Sequence, residues 1–133
     1  MAEIDWERRL RESVDAFNRG DFGAMLDNAT DDVTYRRSAA SPESRETVEG
    51  REALLEYMRP DVFSEQHLEV GEVRLGDAAH VASMTLTATG ASSGLAFSAT
   101  SYLAYFLDPS GEKIARIEVH ADLESACAAA GLD

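Results

Sequence analysis

Three side chains near the end of the chain carry chemistry at short range: Glu118, His120 and Asp122 in "KIARIEVHADLESACAAAGLD", Lys113 to Asp133. The first half of that stretch alternates like a strand. Ile117, Val119 and Ala121 take one face, while Arg116, Glu118, His120 and Asp122 take the other. A histidine beside a carboxylate is a proton-transfer pair, since both titrate near enough to neutrality to be tuned into use. Asp122 also stands directly before an alanine-rich stretch, Leu123 to Ala130, that reads as a helix. Aspartate there is a preferred N-cap. Its two readings are therefore an acid/base or a cap.

These residues are positioned by the last of several elements. Ile4, Leu10, Val14 and Phe17 form one stripe of a helix over 4–18, with Trp6 near its edge. "NRGD" stops it, with Gly20 for the left-handed cap and Asp21 to start a second helix over 22–29. Asp31 to Ser38 reads as a strand with Val33, Tyr35 and Arg37 on one face. Ala39 to Gly50 is a polar loop, either a surface connection or a lid. Arg51 to Met58 reads as a third helix, ended by Arg59-Pro60.

The second half is β-rich. Leu68 and Val70 share one parity and Val73 and Leu75 the other, so a β-bulge is expected at Gly71-Glu72. Strands follow over 79–89 and 95–107, with turns at "GASSG" and "DPSGE". The order predicts an α+β fold. A strongly curved, mainly antiparallel sheet wraps N-terminal helices that lie on one of its faces.

The 133 residues suit one domain, 1–133, able to bury roughly two-thirds of its unfolded surface. The net charge of −13 repels phosphate backbones and anionic bilayers, so neither nucleic acid nor membrane is an expected partner. No apolar run approaches the roughly 20 residues of a membrane span, and "MAEIDWERRL" lacks a signal-peptide core. A cytoplasmic location is expected. One cysteine, Cys127, leaves no internal disulfide, and His67, His80 and His120 lack metal-ligand spacing. Neither metal nor organic cofactor is expected. The outer faces of "ASMTLTAT" and "FSATSY" are weakly charged for so acidic a chain, and a homodimer through them is expected.

"VDAFNRGDFGAMLDNATDDVTY", "VEGREALLEYM" and "GEKIARIEVHADLESACAAAGL" together resemble the nuclear transport factor 2-like superfamily, and among its members the polyketide cyclases of the SnoaL type. The resemblance implies a cone-shaped barrel with an apolar pocket, often dimeric through the outer sheet face. It also implies hosts ranging from ketosteroid isomerases, cyclases and epoxide hydrolases to binding modules, so the fold leaves function open. Asp122 matches the cyclases' acid/base on the last strand. Their histidine on the preceding strand falls at Leu103, and the isomerases' tyrosine and aspartate fall at Ser13 and Arg37.

The resemblance thus implies a cyclase or isomerase acting on a hydrophobic, polyketide- or terpenoid-like carbonyl compound. Asp122 and His120 would move the proton and Arg37 would face the developing anion. Tyr35, Tyr102, Met84 and Trp6 would contact the substrate. Glu65 is a second, more exposed carboxylate. The alternative is a non-catalytic module that holds an apolar ligand in the same pocket.

Overall fold

The structure is a computed structural model that describes residues 4–37, 47–57, 63–90 and 92–132. Helix α1 (Trp6–Asn18) starts where the Asp5 carboxylate accepts the Arg8 N–H at 3.1 Å, and Trp6, Leu10 and Val14 are its buried stripe. Gly20 takes the left-handed conformation (φ 79°) that ends it. Asp21 then caps α2 (Phe22–Met25). This helix is shorter than the apolar pattern over 22–29 predicts. The N–H groups of Leu26 and Asp27 bond three residues back, to Gly23 and Ala24, and the tightened turn delivers Ala29 into a strand.

Among the described residues six strands follow: β1 (Ala29–Arg37), β2 (Thr47–Glu49), β3 (Phe63–Leu75), β4 (Ala79–Gly90), β5 (Ala96–Leu107) and β6 (Ile114–His120). Helix α3 (Arg51–Tyr57) lies between β2 and β3 in the chain, and α4 (Leu123–Ala130) follows β6. The sheet order is β2-β1-β6-β5-β4-β3. All pairings are antiparallel except β1 with β6. The short β2 occupies the end of the segment expected to be loop. Residues 38–46 of that segment lie outside the described residues.

The bulge expected at Gly71-Glu72 is present. Val70 faces Met84 and Val73 faces Ala82, so three steps on β3 match two on β4. Ser83 Oγ accepts the displaced Glu72 N–H at 2.9 Å. It stands where a side chain at Gly71 would begin, 2.4 Å from an ideal Cβ, which is why this position is glycine. The outer edge of β3 is closed by Asn18 at the end of α1. Its amide accepts the Leu68 N–H (2.8 Å) and donates to the Leu68 carbonyl (2.9 Å), as a neighbouring strand would.

The two faces of the sheet carry different cores. Concave-side residues Val33, Ala82, Met84, Tyr105 and Ile117 pack with Trp6, Leu10 and Val14 of α1, and with Leu54 of α3. On the other face Val81 and Ala104 pack under Ala126 and Cys127 of α4. The N-terminal helices α1 and α3 thus pack on the concave face as expected, while α4 folds back over the outside of β4 and β5. Its small apolar stripe fits the small residues there. Thr85 and Thr100, whose hydroxyls lie 2.9 Å apart, belong to the part of that face beyond α4. Among the described residues no helix is long and apolar enough to cross a membrane.

Candidate functional site

The concave face of the sheet and the inner stripe of α1 enclose a cavity of about 480 Å³. Its walls follow the register. Tyr35, Ile117, Tyr105 and His80 stand in one row across β1, β6, β5 and β4. Further along β5 come Leu103, then Ser101 opposite Met84, then Ala99 opposite Leu86. At the first row the neighbours are sealed: Trp6 and His80 are buried. At Ala99 the wall is exposed. The cavity thus runs from a closed end at Tyr105 toward an open end at Ala99.

Most of the lining is aliphatic, with Leu10, Val14, Leu68, Met84 and Val119 among the contributors. Tyr35 and Tyr105 supply hydroxyls near the closed end, and Gln66 supplies an amide beyond Ser101. Tyr105 is buried, and burial, with a smaller contribution from Tyr35, pushes its phenol well above the ordinary range. It therefore stays neutral at every working pH and remains a hydrogen-bond donor. Its hydroxyl has no hydrogen-bond partner among the described residues.

Tyr35 and Met84 line the cavity. Trp6 is packed in the core at its closed end. The others lie elsewhere. Tyr102 faces His120 across the β5–β6 pairing and packs against the α4 cluster, on the convex side. His120 is buried there, with Nε2 3.2 Å from Glu118 Oε1, and Glu118 in turn pairs with Arg116 at 3.4 Å. Asp122 is exposed, and its carboxylate accepts the Ser125 N–H at 2.7 Å as the N-cap of α4.

The expected placement of Asp122, His120 and Tyr102 around the pocket is therefore corrected. They share the alternate parity to Ile117, Val119 and Leu103, and that parity faces outward. The hydrogen bonds from Ser125, and then the neighbouring His120, hold the Asp122 carboxyl below its usual range, opposite to what a proton-transferring carboxyl needs. Asp122→Asn is expected to leave the melting temperature unchanged, because Asn caps as well as Asp, while Asp122→Ala lowers it. Parallel thermal scans of the two variants check this. Arg37 ends β1 opposite Val119. Its side chain and that of Glu65 lie outside the described ones.

Two residues of this site were not singled out from the sequence. Tyr105 has the parity of Leu103 rather than of Tyr102, but β5 is apolar on both faces and parity alone does not say which is inner. His80, the second residue of β4, is a single polar residue among Ala and Val, with no pattern to mark it.

A curved, unclosed sheet around N-terminal helices, with an apolar cavity inside, defines a protein of the nuclear transport factor 2-like class. The SnoaL-like domain model matches residues 10–117, and the chain belongs to that family. No curated protein matches the sequence. Among solved structures, it is similar to a nuclear transport factor 2-like protein of unknown function from Burkholderia pseudomallei K96243. There the TM-score is 0.73 at 19% identity, over 95% of this chain and 97% of that one. It is also similar to a protein of Xanthomonas campestris pv. campestris that carries the provisional name polyketide cyclase (TM-score 0.71, 18% identity, 92% and 93% covered). A third is SalBIII, an epoxide hydrolase/cyclase-like enzyme of pyran ring formation in the polyether salinomycin (TM-score 0.70, 22% identity, 90% and 95% covered).

Proposed function

We propose that the protein binds a hydrophobic small molecule bearing a carbonyl oxygen, which enters oxygen-first and accepts a hydrogen bond from Tyr105. The observation that carries this reading is a neutral phenol with no protein partner among the described residues, at the closed end of an aliphatic cavity. A donor that faces the cavity and has no acceptor among the described residues is available to a ligand's oxygen. The cavity volume lies in the range of small-molecule pockets and suits a ligand of about three fused rings.

A second reading, a cyclase or isomerase acting by acid–base chemistry on a polyketide- or terpenoid-like carbonyl compound, is favoured by the same donor. A tyrosine aimed at a carbonyl stabilises the enolate that forms when the neighbouring carbon loses a proton. The similar structures whose names refer to cyclisation support it. Among the described residues, no Asp, Glu or His lines the cavity to take that proton, so binding is the reading preferred.

The test uses anthrone, a three-ring enolisable ketone, and 9,10-dihydroanthracene, which has its shape without the oxygen. Anthrone should bind about tenfold more tightly, the worth of one well-made hydrogen bond. Equal affinities would remove the carbonyl from the reading. Protein-dependent exchange of the anthrone methylene protons for deuterium would move the conclusion to the enzyme.

A further inference from the structure

His80 lies behind Tyr105 in the same row of the sheet, at the closed end of the cavity. It is 3% exposed. Its Nδ1 accepts the Gly76 N–H at 3.1 Å, which makes the ring neutral with its proton on Nε2. That Nε2 is buried without a hydrogen-bond partner among the described residues. The ring packs at 46° against the indole of Trp6, with centroids 5.3 Å apart. Gly76 is itself tightly held: an ideal Cβ there would fall 2.5 Å from Leu132 Cδ2 and 2.7 Å from the Ala79 carbonyl. One imidazole thus ties the β3–β4 turn to the start of α1, while the turn seats the segment after α4.

We propose that His80 is a proton-released clasp: protonation replaces the Nδ1 acceptor by a donor facing the Gly76 N–H, and frees the turn, Trp6 and the closed end of the cavity together. This rests on the ligand-binding reading only for its effect on affinity. Among the described residues, the groups packed around His80 offer a new charge no counterion. From β5 comes the neutral Tyr105 and from β3 the apolar Leu75. From α1 comes Trp6, with the Arg9 guanidinium 5.2 Å from the centre of the same indole. Asp5, beside Trp6, is exposed and caps α1, and Asp77 in the turn is exposed. Leu132 is apolar.

Burial also holds the His80 pKa below its ordinary value of 6.5. The unfolded chain therefore takes up this proton first as pH falls. The clasp's contribution is complete above pH 6.5 and is lost as pH drops from there through the folded-state pKa.

Trp6 is the only tryptophan, so its fluorescence reads the clasp directly. In the wild type it should change between pH 7.5 and 5 with a midpoint below about 6.5. His80→Gln, whose amide oxygen can keep the Gly76 bond without titrating, should abolish that change. The melting temperature of the wild type, relative to His80→Gln, should fall by about 3 °C or more over the same interval. Should the variant not fold, ¹⁵N shifts of the wild-type imidazole decide: an Nε2–H tautomer at pH 7.5 supports the clasp, and a charged ring there overturns it. A flat Trp6 signal, or a melting difference independent of pH, overturns it as well. Anthrone affinity should fall from pH 7.5 to 5.5 in the wild type and hold in His80→Gln. Failure of anthrone to bind at any pH would count against the ligand reading alone, because the fluorescence and the tautomer need no ligand.

Discussion

Replacing Tyr105 by Phe should weaken anthrone binding about tenfold and leave 9,10-dihydroanthracene binding unchanged. The two ligands fill the cavity alike, so the difference isolates the oxygen. Removing this hydroxyl strands no protein group, since it has no hydrogen-bond partner among the described residues. The ring stays in place to fill the core. Thermal stability should therefore be retained, and isothermal titration beside a thermal scan checks both halves. Equal loss for the two ligands would mean that the substitution altered the cavity's shape rather than its donor.

Leu54→Ala should do the reverse. Leu54 is wholly buried in α3, whose first turn is fixed where its N–H bonds the Gly50 carbonyl. It packs in the main core with Val33 and does not line the cavity. Truncating it removes three carbons and leaves a void among rigid strands, at a cost of about 3 kcal/mol. For a chain of this length that lowers the melting temperature by about 10 °C. Anthrone affinity measured well below the transition should not change. A shift of less than about 3 °C would show that α3 closes over the gap.

The two substitutions also mark what sequence patterns convey. Burial patterns are statistical and repeat along an element, so the α1 stripe, the long strands and the phase change at Gly71 were all legible. At Asp122 the sequence left the cap and the acid/base both open, and the structure shows the cap. The side of the sheet was not legible. Alternation separated Ile117 and Val119 from Glu118 and His120 correctly, yet it names no face as inner. The polar parity attracted the chemical reading, while the aliphatic one lined the cavity. Helix α4 hid the same fact. Leu123, Ala126, Cys127 and Ala130 form a stripe that must be covered, and Val81 and Ala104 on the convex face of the sheet cover it. The short β2 was missed because three residues hold too little alternation to read.

The place of β6 between β1 and β5 governs how the molecule must come together. Tyr35 and Ile117 are paired neighbours although about eighty positions of chain separate them. The strand that joins the two halves of the sheet is supplied by the later one, so among the described residues up to α3 only the three-residue β2 pairs with β1. Loop closure must precede the contacts that reward it. Assembly should be slow for a molecule of this size, in milliseconds to seconds rather than microseconds. The rate-limiting ensemble should already contain the β5–β6 hairpin searching for β1. Until that search ends, the flank of β1 that β6 will take offers unpaired backbone to any other extended chain, and the risk of misassembly is concentrated there.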